Sequence, residues 1–157
     1  MITTLRIVHL LSSMVWVGGT VVLVFVGVPA IRNLEGEARA IAMRTLGRRW
    51  RPLGWGAMGV AIVSGLWLTD LHGGFDSGAT STDFDRTLIV KSVLVVFLVA
   101  GALFHDYVLG PRLQRELRAA EPQAPATRRR LVAVGWFTFA LTILVPVLGA
   151  LALGELT

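Results

Sequence analysis

The chain has 157 residues, of which 54% are hydrophobic and only 16% charged, where a typical soluble domain carries about 25% charge. With a mean hydropathy of +0.68 and charges clumped between long apolar runs, an ordinary soluble fold is excluded, and an all-α integral membrane protein forming a single membrane domain over residues 1–157 is expected. The net charge of +5 does not indicate nucleic acid, because most arginines lie beside apolar runs without interleaved aromatics, and the absence of cysteine removes disulfides, thiolate metal sites, cysteine nucleophiles and covalent c-type haem attachment.

Four spans are predicted in chain order. The first covers about 4–29 and stops near Pro29. It is too long for a signal-peptide apolar region and lacks a small-residue cleavage site, so it is expected to remain as a helix. The second covers about 53–71, with Pro52 suited to a first helical turn, after a possible interfacial helix over 36–48. The third covers about 87–109 and ends at Gly110–Pro111, and the fourth covers about 131–153 with Pro146 inside it. At about 1.5 Å per residue each crosses a hydrocarbon core of about 30 Å. Short connections favour an antiparallel four-helix bundle. Ala57, Ala61 and Gly65 form a small-residue row for close helix approach, and no convincing sequence repeat relates the two halves.

Charge sets the orientation. The first connection carries Arg32, Arg39, Arg44, Arg48, Arg49 and Arg51, and the third carries Arg112, Arg115, Arg118, Arg128, Arg129 and Arg130. The second holds Arg86 with Asp76, Asp83 and Asp85. Arginine-rich loops stay in the cytoplasm, so both termini and the second connection are expected outside the inner (cytoplasmic) membrane.

That orientation places His9, His72 and Lys91, on three different spans, at similar depth near the outer side. Ionisable groups inside spans usually face the bundle interior and are functional candidates. At 100° per residue, Trp16 falls about 20° and Ser13 about 40° from the direction of His9. His9, Ser13, Trp16 and Thr20 therefore form one inward stripe, and Gly18–Gly19 leaves room for a partner helix or a flat ligand. Lys91 and His105 also share a helix face, but about 21 Å apart along the axis.

Imidazole ligates both iron and copper. His9 and His72 from different helices suit a b-type haem, with Lys91 pairing a propionate and Trp16 or Trp67 packing on the ring. Copper is the rival, with His9 and His72 as its ligands; Cu(I) has only Met14 as a thioether near His9, and Cu(II) would add an oxygen of Asp70 or Asp76. The plainer alternatives are that His9 bonds a carbonyl of another span, His72 is interfacial, Lys91 snorkels outward, and Trp50, Trp55 and Trp67 form an aromatic belt. For His105–Asp106 the expectation is a structural pair at a helix C-terminus. No hydrolase, zinc-protease or nucleotide-binding motif is present, and transport by four short spans needs a dimer or a larger complex.

The stretch HLLSSMVWVGGTVVLVFVGVPAIR, residues 9–32, resembles the opening H-x6-W-x-G-G…P pattern of the copper resistance protein D (CopD) domain. KSVLVVFLVAGALFHDYVLGPRL, residues 91–113, is similar to the family's lysine-bearing third span with its H-D…G-P-R ending. The resemblance implies a role in copper uptake or tolerance across the inner membrane. The His9 and Lys91 pair also resembles the HemJ type of protoporphyrinogen oxidase, which implies tetrapyrrole handling. That family's arginine-rich continuation is replaced here by TVVLVFVGVP, residues 20–29. The leading expectation is thus a CopD-like bundle that binds haem b near its outer side in a membrane redox role. The alternatives are copper transport or resistance, and a cofactor-free subunit of a larger complex.

Overall fold

The computed structural model describes residues 2–71 and 83–154. All elements among them are helical: α1 (Ile2–Val22), α2 (Val28–Arg32), α3 (Gly36–Leu71), α4 (Asp83–Leu103), α5 (Gly110–Arg118) and α6 (Ala124–Gly154). Five-residue and six-residue π-helical segments, Leu23–Gly27 and Phe104–Leu109, join α1 to α2 and α4 to α5. Four continuous helices are long and apolar enough to cross a membrane: Ile2–Arg32, Gly36–Leu71, Arg86–Arg118 and Ala124–Leu151. Large apolar side chains such as Leu10, Val63, Val96 and Phe137 cover their outer faces, as contact with hydrocarbon requires.

The helices run further than the sequence signals suggest. Pro29 and Pro111 do not end them. The reason lies one residue earlier, where the Val28 N–H reaches the Leu23 carbonyl and the Gly110 N–H reaches the His105 carbonyl. Proline has no N–H and its ring crowds the carbonyl four residues back. A wide π turn just before it changes the hydrogen-bond register, so the helix passes through the proline. The actual stop after α5 comes at Ala119–Ala120, where Ala120 takes φ +50° and the Glu121 N–H closes on the Glu116 carbonyl at 2.9 Å. Residues 36–48 are likewise not a separate interfacial helix. They form the first part of the 36-residue α3, with Pro52 in its interior at an exposed position.

Contacts divide the chain into two compact units, Met1–Gly78 and Ala79–Thr157. In the first, α1 packs on α3. Gly27 meets Leu46, Gly19 meets Trp50, Gly54 meets Trp16 and Trp50, and Gly65 meets His9, so contact positions rise along one helix as they fall along the other. In the second, α4 packs on α6 with the same reversal: Lys91 meets Gly149, Gly101 meets Thr138, and His105 meets Gly135. Met58, Gly54 and Ser64 are the buried face of α3, and Leu98, Ala102, Leu109, Leu141 and Thr142 are buried in the second unit.

The units share a plan that residue identity conceals. His9 and Lys91 each stand 20 positions before a proline, Pro29 and Pro111, and ten positions before a glycine that a partner-helix side chain fills, Gly19 and Gly101. In each, a π-helical segment precedes the proline and a short helix follows it. The repeat is one of backbone events and glycine seats, which composition does not register.

The Gly19–Trp50 contact is the tightest seat in the first unit, since a Cβ on Gly19 would overlap the Trp50 indole. Gly19→Ala is expected to lower stability by about 1–3 kcal/mol, the usual cost of overpacking. Trp50→Leu in the same chain should return part of that loss. The check is a double-mutant cycle on melting in detergent, and additive effects would refute the contact.

Candidate functional site

The inward stripe of α1 is present. His9, Ser13, Trp16 and Thr20 are all half-buried, while the neighbouring Leu10, Leu11 and Met14 are 55–58% exposed. The cause is local sequence: polar and small residues recur at helical spacing, and leucine, methionine and valine fill the positions between them. Ser12 and Thr20 return their hydroxyls to their own helix, Ser12 to the Val8 carbonyl at 2.7 Å and Thr20 to the Trp16 carbonyl at 2.7 Å.

His9 reaches across to α3. Its Nδ1 lies 2.8 Å from the Ala61 carbonyl oxygen and 3.2 Å from Ser64 Oγ. A carbonyl only accepts, so Nδ1 carries the proton, and in the neutral ring the lone pair sits on Nε2. Ser64 Oγ in turn donates to the Val60 carbonyl at 2.6 Å. The Cε1 edge of the ring meets Gly65, where a Cβ would come within 2.9 Å of His9 Cε1. The small-residue row of α3 thus accommodates the imidazole.

One helical turn and more along the stripe, Trp16 stacks on Trp50, with ring centroids 6.2 Å apart and planes 27° from parallel. Trp50 also covers Gly19 and Gly54, so this indole, expected in an interfacial belt, is instead packing between α1 and α3. The room left by Gly19 is taken by the partner helix and not by a flat ligand; at Gly18 no atom stands within 4 Å of where a Cβ would be. Trp67, by contrast, is 51% exposed. Trp16 Nε1 is buried and has no acceptor among the described residues, which marks an unmet polar demand there.

Lys91 belongs to the second unit. It is half-buried and its Nζ lies over Gly149, 3.0 Å from where a Cβ would stand. His105 donates from Nδ1 to Asp106 Oδ1 at 2.9 Å, within the π-helical segment, and its other ring edge faces Gly135. The expected Asp106 acceptor is therefore present, but the pair does not lie at a helix C-terminus, because the helix continues to Arg118. His72 and Asp76 lie outside the described residues. Among the described residues no group of three or more His, Asp or Glu side chains is placed to hold a metal ion.

The fit to a prosthetic group follows from these contacts. The Nε2 lone pair of His9 suits one bond to copper or iron. Among the described residues His9 is not part of a group of three or more such side chains. A centre of three or more protein ligands is thus not built by the described residues.

A family model for copper resistance protein D matches residues 44–151 of this chain. That stretch is more than two thirds of the sequence. The chain belongs to the copper resistance protein D family. The match takes in Lys91, His105–Asp106, the Gly110–Pro111 ending and His72, together with the second and fourth spans. It begins inside α3, so His9 and Trp16 precede it. No match was found among curated proteins or among solved structures. Membership and four apolar helices make this CopD-family chain a multi-pass membrane protein.

His9→Leu removes the donor to the Ala61 carbonyl and is expected to cost about 0.6–2 kcal/mol, the range for hydrogen bonds between membrane helices. Gly65→Ala should cost a similar amount by pushing the ring off its seat, and the two losses should not add. Thermal unfolding in detergent measures both. Wild-type stability in the two variants would rule out the contact.

Proposed function

We propose that this CopD-family protein handles copper ions in the inner membrane, with His9 as a contact for the ion near the extracytoplasmic side. The observation that carries the reading is the His9 tautomer: Nδ1 is committed to Ala61, which orients the ring and leaves the lone pair on Nε2, the nitrogen a soft or borderline metal takes. Copper is cargo here. Imidazole contact lets the ion be passed on, with further ligands coming from a second copy of the chain, from a larger membrane complex, or from His72. The buried Trp16 N–H, borne by a residue of the same stripe, has no acceptor among the described residues and suits one carried in with the ion.

The proposal includes an arrangement: one antiparallel four-helix membrane domain, both termini and the second connection outside, and the arginine-rich connections inside. The native chain has no cysteine, so single substitutions report topology cleanly. In intact cells Ser77→Cys should react with a membrane-impermeant maleimide, and Gln114→Cys only after permeabilisation. The reverse pattern would invert the bundle and move His9 to the cytoplasmic side.

A second reading uses the same nitrogen. In it His9 would hold the iron of haem b, Lys91 would pair a propionate, and Trp16 and Ser13 would contact the group, in a redox or tetrapyrrole-handling role. The group would supply electron transfer; the chain's own part is to hold and orient the imidazole.

One experiment separates the readings. The protein is purified in mild detergent, its visible spectrum is recorded before and after dithionite, and copper and iron are assayed on the same sample. Copper close to one per chain in wild type, lost in both His9→Ala and His9→Gln, supports the copper reading. Glutamine can still donate to the Ala61 carbonyl, so its loss of metal reports ligation and not helix packing. A Soret band abolished by His9→Ala would replace copper with haem. A colourless, metal-free protein would leave a cofactor-free subunit of a larger complex.

A further inference from the structure

The third connection contains a cavity of about 530 Å³ between the end of α5 and the first turns of α6. Leu117, Pro125, Val132 and Ala133 form its apolar wall, and Arg128 and Arg129 stand at it. The acidic groups nearby in sequence are already engaged. Glu116 is buried and accepts from Arg112 Nε at 2.7 Å, and Glu121 accepts from Gln123 at 3.0 Å. Arg128 and Arg129 are exposed and make no ion pair among the described residues.

The position of this cavity matters as much as its lining. Arg128–Arg130 immediately precede the apolar run of α6, on which Val132, Trp136 and Phe137 are 43–55% exposed. Charge therefore meets apolar surface within one helical turn. A guanidinium pair beside an aliphatic wall is suited to a molecule with an anionic head and an apolar body, because the head gains forked hydrogen bonds while the body covers the wall. A bare anion would leave the wall uncovered. The cavity of the first connection, lined by Ile41, Arg44, Thr45, Arg48 and Arg49, offers charge with little apolar wall and serves as the contrast.

We propose that the cavity at Leu117–Ala133 is a binding site for one anionic phospholipid, its phosphate held by Arg128 and Arg129 and its acyl chains lying along Val132 and Ala133. The site is independent of copper or haem and of the orientation of the bundle. Its effect is to fix the first turns of α6 against the end of α5 at the level of the lipid headgroups.

The test uses the full chain in mild detergent, titrated with phosphatidylglycerol or phosphatidylcholine, with bound lipid counted by native mass spectrometry. One phosphatidylglycerol should bind in preference to phosphatidylcholine. Arg128→Gln/Arg129→Gln should weaken it on the order of tenfold, and Ala133→Phe, which fills the cavity without changing charge, should weaken it as well. Arg48→Gln/Arg49→Gln should leave it unchanged. Circular dichroism checks folding, and should the double variant misfold, Arg129→Lys, which keeps charge but loses the fork, should show reduced binding. Equal binding of the two lipids, equal loss from the two arginine pairs, or displacement of phosphatidylglycerol by millimolar inorganic phosphate would each overturn the proposal, the last by making the cavity an ion site.

Discussion

Helices in hydrocarbon gain nothing from hiding apolar surface from water, so what holds them is close contact and hydrogen bonds across the gap. In this chain both depend on the same device, a glycine opposite a bulky or polar side chain. His9 lies on Gly65, Trp50 on Gly19 and Gly54, Lys91 on Gly149 and His105 on Gly135. Each of these side chains would otherwise hold its helix away from its neighbour. The glycines turn costly intramembrane groups into contacts, and His9 adds a hydrogen bond to a backbone carbonyl that its own helix geometry does not supply.

This bears on how an intramembrane histidine should be read. A carbonyl bond and a ligand role are usually posed as alternatives. At His9 they are compatible, since the bond uses Nδ1 and the coordinating electron pair belongs to Nε2. In the proposed copper contact, the helix contact orients the imidazole. His105 divides its nitrogens in the same way, but its Nδ1 donates to its sequence neighbour Asp106 within a π-helical segment of the other unit, so that bond does not join two helices.

The prolines show a second regularity. Pro29 and Pro111 each follow a π turn, and each is followed by a short helix ending in arginine. The turn absorbs the missing donor, so the apolar span continues into the charged connection without a break. The arginines of α5 are thereby carried on a rigid extension of the span, and Glu116 is buried close to Arg112 as its partner. Family membership, read from residues 44–151, covers the second of these motifs and not the first, although the two units follow one plan.

Much was legible in the sequence. Long apolar runs separated by arginines require membrane helices, because no other use of such runs satisfies the backbone in lipid. The stripe of His9, Ser13, Trp16 and Thr20 followed from helical periodicity, and the lysine-bearing third span with its H-D…G-P-R ending carried the family. Helix ends did not follow, because a proline reads as a stop unless the preceding turn widens, and that widening has no residue signature. Nor did the fate of Gly19. A glycine in a helix announces space, but whether a ligand or the Trp50 ring enters it depends on the register of α1 against α3, which only packing decides. Local periodicity determined which faces are polar; the tertiary structure decided what each face meets, because contact between distant segments is set by shape and not by spacing along one helix.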